Sequence, residues 1–479
     1  MPDHNTKLAG AVLVLALALL TTATGLFRPG YLTSDSYLSG LIFLQLLIAA
    51  IWNFHTRFFP FLLVGFLWAG MGALPFSGAW VSGRWLVLIA GALAGCVVYM
   101  HHAHHRFDSF HLIALFCSIA AVVSAVVSAF PKVALLKALS LLLLFLYAST
   151  GARLPAMGDL HKLLGSMIFW VELLVYLSAA CYFILHFPIF GNPNSLGAIM
   201  GVVAVPLFFW EMLTNRNPAR KPRTTLVFAL SLLLLFFSQA RAGILGAILA
   251  CAVVCLAARS YRVLFHTCAG ALALAVLAIL LVPSQAVEDM PTRRAGSSFA
   301  QVFLYKGKDE DGVLQSRKSA WNETVDVITA NPWFGSGFGT SVSKGRNQVA
   351  EGSFSSNSGN TREHGDSYLA ILEGVGLLGV LPFLILVLMF ATRALKFLLR
   401  MGRRGRLTHV GVPFAMILVS GFVHALFEDW LFAVGYYLCV FFWSVGFIFL
   451  DVSSTEQQDE APVFQPLTTM NHPVFLSTP

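Results

Sequence analysis

Arginine, histidine and acid side chains are scarce in this chain, so the few that stand beside apolar runs are the residues with chemistry to offer. Arg241 sits in SQARAG between two apolar runs, where a guanidinium can grip phosphate or carboxylate through two parallel hydrogen bonds or can simply snorkel and anchor a hairpin. Arg317 lies four residues before Trp321, so the two share one side of any helix there. His364 stands in TREHGDSYLAILEGVGLLG, just before an apolar run. An imidazole in that place that is neutral at working pH accepts a proton, which makes it a candidate general base as well as an ordinary interfacial histidine. Glu373 follows nine residues later and reads as about two and a half turns deeper, buttressing a buried partner such as an arginine. Asn194 fits a helix N-cap. Phe427-Glu428-Asp429-Trp430 adds two more acids.

The tract His101, His102, His104 and His105 looks like a metal site but lacks cysteine or acid partners apart from Asp108. The cysteines, Cys96, Cys117, Cys181, Cys251, Cys255, Cys268 and Cys439, all fall in apolar runs, away from any polar segment where a disulfide or metal framework would form. No nucleotide-binding motif is present, so nothing points to ATP coupling.

These residues need a scaffold, and composition dictates it. Of 479 residues 57% are hydrophobic and 11% charged, with a mean hydropathy of +0.76. Charge so sparse cannot cover the surfaces of soluble domains, which carry about 25% charged residues. The fold expected is all-α, a polytopic transmembrane bundle of about 12–14 spans. Candidate helices lie near 8–27, 37–54, 58–74, 83–100, 110–130, 132–150, 163–186, 194–214, 224–239, 243–258, 263–282, 367–391, 409–427 and 430–450. The run after Lys7 reads as a first span rather than a signal peptide.

A net charge of +8 does not imply nucleic acid, because the cations sit in short connections. Alternate loops carry Arg153 and Lys162, then Arg216, Arg220, Lys221 and Arg223, then the group from Arg393 to Arg406, whereas the short loops on the other side carry only Arg28, Arg84, Lys132 and Arg241. This asymmetry places both termini in the cytoplasm. The stretch from Pro283 to Asp366 then falls on the outer side, and it is far longer than the ~15 residues of a plain connector. Within it Trp321, Val325 and Ile328 recur at helical spacing up to Asn331-Pro332, glycines follow in WFGSGFGT, and EGSFSSNSGNT reads as mobile. The organisation expected is N-terminal helices over 1–190, a transmembrane core over 191–282, an outer loop with short helices over 283–366, C-terminal helices over 367–450 and a disordered tail over 451–479.

Four motifs, GNPNSLG (191–197), SQARAGIL (238–245), SRKSAWNETVDVITANPWFGSGFGT (316–340) and HGDSYLAILEGVGLLG (364–379), resemble in type and order those of the O-antigen ligase and polymerase superfamily of bacterial envelope glycosyltransferases. The resemblance covers roughly residues 185 to 450. It implies a GT-C-like membrane enzyme in the bacterial inner membrane, facing the periplasm. Such an enzyme moves a glycan from a polyprenyl-diphosphate carrier to an acceptor hydroxyl on lipid A core, a growing polysaccharide or a protein. It also implies inversion at the anomeric carbon, no metal and no other cofactor. On this resemblance His364 is the base or acceptor-orienting group, Arg241 and Arg317 hold the diphosphate, Asn194, Arg362 and Tyr368 complete the substrate-binding set, and Glu373 is a support. The sequence departs from the pattern in having His186 and no arginine before GNPN, and Gly365 after the histidine. The rival class is a transporter or flippase for a lipid-linked sugar, although ionisable residues gathered at one face fit a one-sided site better than alternating access.

Overall fold

A leucine-rich chain in lipid has no water to satisfy its amides and must satisfy them within each segment, which leaves the helix as its spanning structure. The computed structural model describes residues 63–68, 77–101, 108–157, 159–186, 189–190, 192–215, 217–270, 315–340 and 364–459, with Ala18, Thr22, Leu26, Gly30 and Gly70 besides. Among the described residues there are helices and no strands. In order they are α1 (Ser77–His101), α2 (Ser109–Val127), α3 (Pro131–Ser149), α4 (Leu160–Ala179), α5 (Pro193–Ile199), α6 (Val205–Thr214), α7 (Lys221–Phe237), α8 (Arg241–Ala257), α9 (Gln315–Ala330), α10 (Ser367–Arg403), α11 (Gly411–His424) and α12 (Tyr437–Asp459). A π turn over Met200–Ala204 joins α5 to α6.

Six helices among the described residues are long and apolar enough to cross a membrane, and Gly83–Val98, Arg241–Ala257 and Gly411–His424 are shorter apolar helices beside them. The expected multi-pass all-α bundle is therefore borne out. The runs expected at 8–27 and 37–54 lie outside the described residues apart from isolated positions, and that at 58–74 is described as helix over 63–68.

The packing has the polarity of a lipid solvent. On α2 the inward stripe beyond Phe110 is small, with Ala114, Cys117, Ser118, Ala121, Ser124 and Ala125 buried, while Leu112, Leu115, Phe116, Ile119, Val123 and Val126 are exposed. A water-soluble helix would turn those large side chains inward; in lipid, small residues let helices approach closely. At the centre of the bundle α12 is buried on nearly every side from Leu438 to Leu450.

Two helices outrun their expected ends. α10 continues beyond 391 to Arg403, so Arg393, Lys396 and Arg400 stand on a helix rather than in a loop. α12 continues to Asp459, and Asp451 belongs to the bundle instead of a tail. The reason for the latter is an ion pair: Arg153 Nε donates to Asp451 Oδ2 at 2.7 Å, and Nη2 reaches Oδ1. A buried guanidinium needs such a partner. Elsewhere in the bundle Arg223 grips Glu172 with two donors, at 2.5 and 2.7 Å.

α10 is not continuous. Gly376 has φ 70 and ψ −177, a conformation essentially confined to glycine. A continuous helix would bond Leu377 N to the Glu373 carbonyl and Leu378 N to that of Gly374. Instead the loop after α9 slots into the break: Leu377 N donates to Pro332 O (2.8 Å), Leu378 N to Trp333 O (3.1 Å), Ser336 N to Glu373 O (2.8 Å) and Gly337 N to Gly374 O (3.1 Å). A Cβ on Gly376 would lie 2.4 Å from Trp333 O, and one on Gly335 2.5 Å from Gly374 C. The glycines at 335, 337, 374 and 376 thus serve to pair an outer loop with a broken helix. Irregular backbone in the apolar zone is tolerated only where protein satisfies it, as here. The end of α2 locks the arrangement, Ser124 Oγ donating to Gly374 O and Ser128 Oγ to Ser336 O at 2.8 Å.

Candidate active site

The head of α10 is built around Ser367. Asp366 caps the helix by accepting from Tyr368 N and Leu369 N. Ser367 Oγ donates to Glu428 O at 2.6 Å and accepts from Trp430 N (3.0 Å) and Leu431 N (3.1 Å), while Ser367 N donates to Ala425 O at 3.0 Å. These bonds staple the turn between α11 and α12 to the start of α10. Trp430, fully buried, donates from Nε1 to His424 Nδ1 at 2.8 Å. Asp429 is thereby fixed over the α10 head.

His364 meets it there. Its Nδ1 lies 2.6 Å from Asp429 Oδ2, and its Nε2 lies 3.5 Å from Glu373 Oε1. Both His364 and Glu373 are buried. The expected separation of two and a half turns is not found, because His364 precedes the helix and its side chain leans along α10. Gly365 has φ +72, which explains a residue that accepts left-handed backbone directly after the histidine.

This environment reverses one expectation. Burial by itself lowers the His364 pKa, but the charge and hydrogen bond of Asp429, and after them Glu373, outweigh it and raise it to about 10. His364 is therefore held as an imidazolium at neutral pH, where the sequence reading expects a neutral ring. Burial also raises the carboxyl of Asp366, ahead of the opposing hydrogen bonds from Tyr368 and Leu369.

Arg241 opens α8 and is half-buried. The turn before it is tight, with Gln239 at φ 52. The motifs GNPNSLG and SQARAGIL pack directly on each other: a Cβ on Gly197 would lie 2.1 Å from Ala240 Cβ, and one on Gly201 2.4 Å from Gly243 O. Ser420 of α11 joins this crossing, donating to Gly201 O at 2.9 Å, and a Cβ on Gly246 would strike it at 2.7 Å. So Arg241 and Asn194 each stand within one helical turn of the same close contact. The cap of α5 is Asn192, which accepts from Asn194 N, rather than Asn194, since Pro193 supplies the first helical residue and leaves the next amide to be capped.

Arg317 lies in the first turn of α9, and α9 packs on α10. The helical period expected there is right but its face is rotated: Thr324 and Val327 are buried, and Val325 is exposed. Tyr368, expected to bind substrate, donates from its hydroxyl to Phe422 O at 3.0 Å and so ties α10 to α11. Arg362, His102, His104 and His105 lie outside the described residues.

The structure thus joins His364 to both Glu373 and Asp429. The sequence marks Asp429 only as an acid of that side and gives no sign of Ser367 or His424, because the 65 residues from His364 to Asp429 hide the pairing. The signal that remained was the acid pair beside Trp430 at the mouth of two apolar runs.

In comparison with known proteins, residues 226–384 match the family described as O-antigen ligase. The match bears out the superfamily resemblance drawn from the motifs, and it spans α7 through the break in α10. It indicates, in general terms, O-antigen ligase-like glycosyl transfer at a membrane. No curated protein matches the chain.

Proposed function

We propose that this chain, O-antigen ligase-like over residues 226–384, is a glycosyltransferase of the bacterial inner membrane. It would take a glycan from an undecaprenyl-diphosphate-type carrier and pass it to an acceptor hydroxyl on the periplasmic side. The observation that carries this reading is His364 held between Asp429 and Glu373 at the head of a broken helix.

The chemistry follows from that geometry. The acceptor oxygen attacks the anomeric carbon, the bond from that carbon to the diphosphate oxygen breaks, and its electron pair leaves with the diphosphate. Direct displacement of this kind inverts the anomeric centre. Asp429 fixes Nδ1, so Nε2 is the nitrogen that takes the hydroxyl proton, and the two acids stabilise the imidazolium so formed. For His364 to act, its resting proton must first leave, which ties turnover to pH. Arg241 and Arg317 neutralise the charge that grows on the leaving diphosphate, a task arginine performs without a metal ion. Asn194 and Arg362 complete the substrate contacts, and Tyr368 positions the α10 head through Phe422.

The test is glycan transfer by the purified full chain and by His364→Ala, offering lipid A core and a second lipid-linked repeat unit as rival acceptors. Product on the core alone identifies a ligase, and a lengthened repeat identifies a polymerase. Translocation across vesicles with no new glycosidic bond on any acceptor, protein included, would overturn the reading in favour of a flippase.

A further inference from the structure

Beyond the break at Gly376, α10 runs on to Arg403, about 40 Å at helical rise, so its far end lies roughly a bilayer away from His364. There the bundle surface forms an open cavity of about 280 Å³. Arg393, Lys396 and Arg400 line it, at i, i+3 and i+7 on one face of α10. Phe110 and Phe397 give it an apolar wall, and Ser453 of α12 closes one side.

Arg393 is held in place in the cavity wall. Its Nε donates to Ser453 Oγ at 2.8 Å and its Nη2 to Ser454 Oγ at 2.7 Å, and its guanidinium carbon lies 5.6 Å from the centre of the Phe110 ring. The acids that face it are Asp108 and Asp451. Both have other duties, Asp108 capping α2 and Asp451 pairing with Arg153. Arg400 opposes Arg393 electrostatically, a repulsion that an anion between them relieves. The volume is below the ~300 Å³ at which pockets for whole small ligands begin, and suits a head group. Outside the cavity, on the helices that carry Phe110 and Arg393, Leu112, Leu388 and Leu395 are exposed, apolar side chains against which acyl chains can lie. The charge asymmetry of the loops assigns this end to the cytoplasmic leaflet, where basic pockets between helices hold anionic head groups.

We propose that the cavity lined by Arg393, Lys396 and Arg400 binds the phosphate of an anionic phospholipid head group. The test is native mass spectrometry of the full chain in detergent, titrated with phosphatidylglycerol or phosphatidylcholine. One phosphatidylglycerol should be retained per chain, at least about tenfold more strongly than phosphatidylcholine. Lys396→Gln with Arg400→Gln should reduce that retention about tenfold or more. Arg406→Gln, at an exposed site beyond the helix end and outside the cavity, should leave it unchanged. Arg393 is spared because it also ties α10 to α12. Equal retention of the two lipids, or an equal loss in Arg406→Gln, would overturn the site in favour of diffuse attraction. Full displacement of the lipid by millimolar inorganic phosphate would overturn the head-group assignment in favour of a free anion.

Discussion

His364 and Asp429, 65 residues apart in the chain, face each other at 2.6 Å, and the pair exists because Ser367 holds the turn that carries Asp429. The relationship makes His364 a strong base that is mostly occupied at neutral pH. If it accepts the acceptor's proton, the transfer rate rises with pH between 7 and 9, since deprotonated imidazole grows as pH approaches a pKa of about 10. Asp429→Asn removes the largest influence raising that pKa, and the limb of the profile moves toward lower pH. A rate that is flat or falls over this window would leave His364 an electrostatic role only.

The same raised pKa bears on stability. A group whose folded pKa lies above its unfolded value stabilises the fold fully below the unfolded value, near 6.5, and loses that contribution as pH rises through the folded one. The stabilising window for His364 therefore closes between about 6.5 and about 10. Thermal unfolding in detergent should show the wild-type Tm falling across this range more steeply than that of His364→Asn. Parallel curves for the two proteins would contradict the buried imidazolium.

Much of the fold was legible because lipid leaves helices few alternatives. The apolar runs at 110–130, 132–150 and 194–214 begin and end within a few residues of α2, α3 and the α5–α6 span. What hydropathy could not show was the interruption in α10. Leu377 and Leu378 keep the run apolar, while the Gly376 amide geometry depends on a loop some 40 residues earlier, near Pro332 to Gly337. The site was half visible for the same reason. Residue types marked His364, Arg241 and Glu373, but the Asp429 partner and the charged state of the ring depend on contacts made through the fold. The face of α9 was misread because Val325 is the more apolar residue, yet the buried position went to Thr324, whose hydroxyl returns to Ala320 O at 2.8 Å.

Arg241→Lys separates charge from shape. If the guanidinium grips diphosphate with two donors, a lysine retains the charge but not the fork. The donor's Kd should rise about tenfold, about 1.4 kcal/mol, in titrations with a short-chain lipid diphosphate. Arg241→Ala should weaken binding further. An unimpaired Lys variant would return Arg241 to the role of an interfacial anchor.

Gly376→Ala tests the broken helix. The substitution would place a methyl group 2.4 Å from Trp333 O and 2.5 Å from Gly335 N, both main-chain atoms with no rotamer to yield. It would also force alanine into a backbone region that costs about 1–3 kcal/mol for a residue with a Cβ. Two responses are open to the chain: the loop leaves, or α10 closes into a continuous helix, and either one strips Glu373 O and Gly374 O of their loop partners. Transfer activity should fall by at least about tenfold and the Tm should drop. Gly379→Ala, three residues on, meets the Val375 side chain at 2.8 Å but no atom of the loop, and it should retain more activity. Equal losses in the two variants would mean that α10 is sensitive to bulk along its whole length, and that the break at Gly376 has no particular part in holding Glu373 against His364.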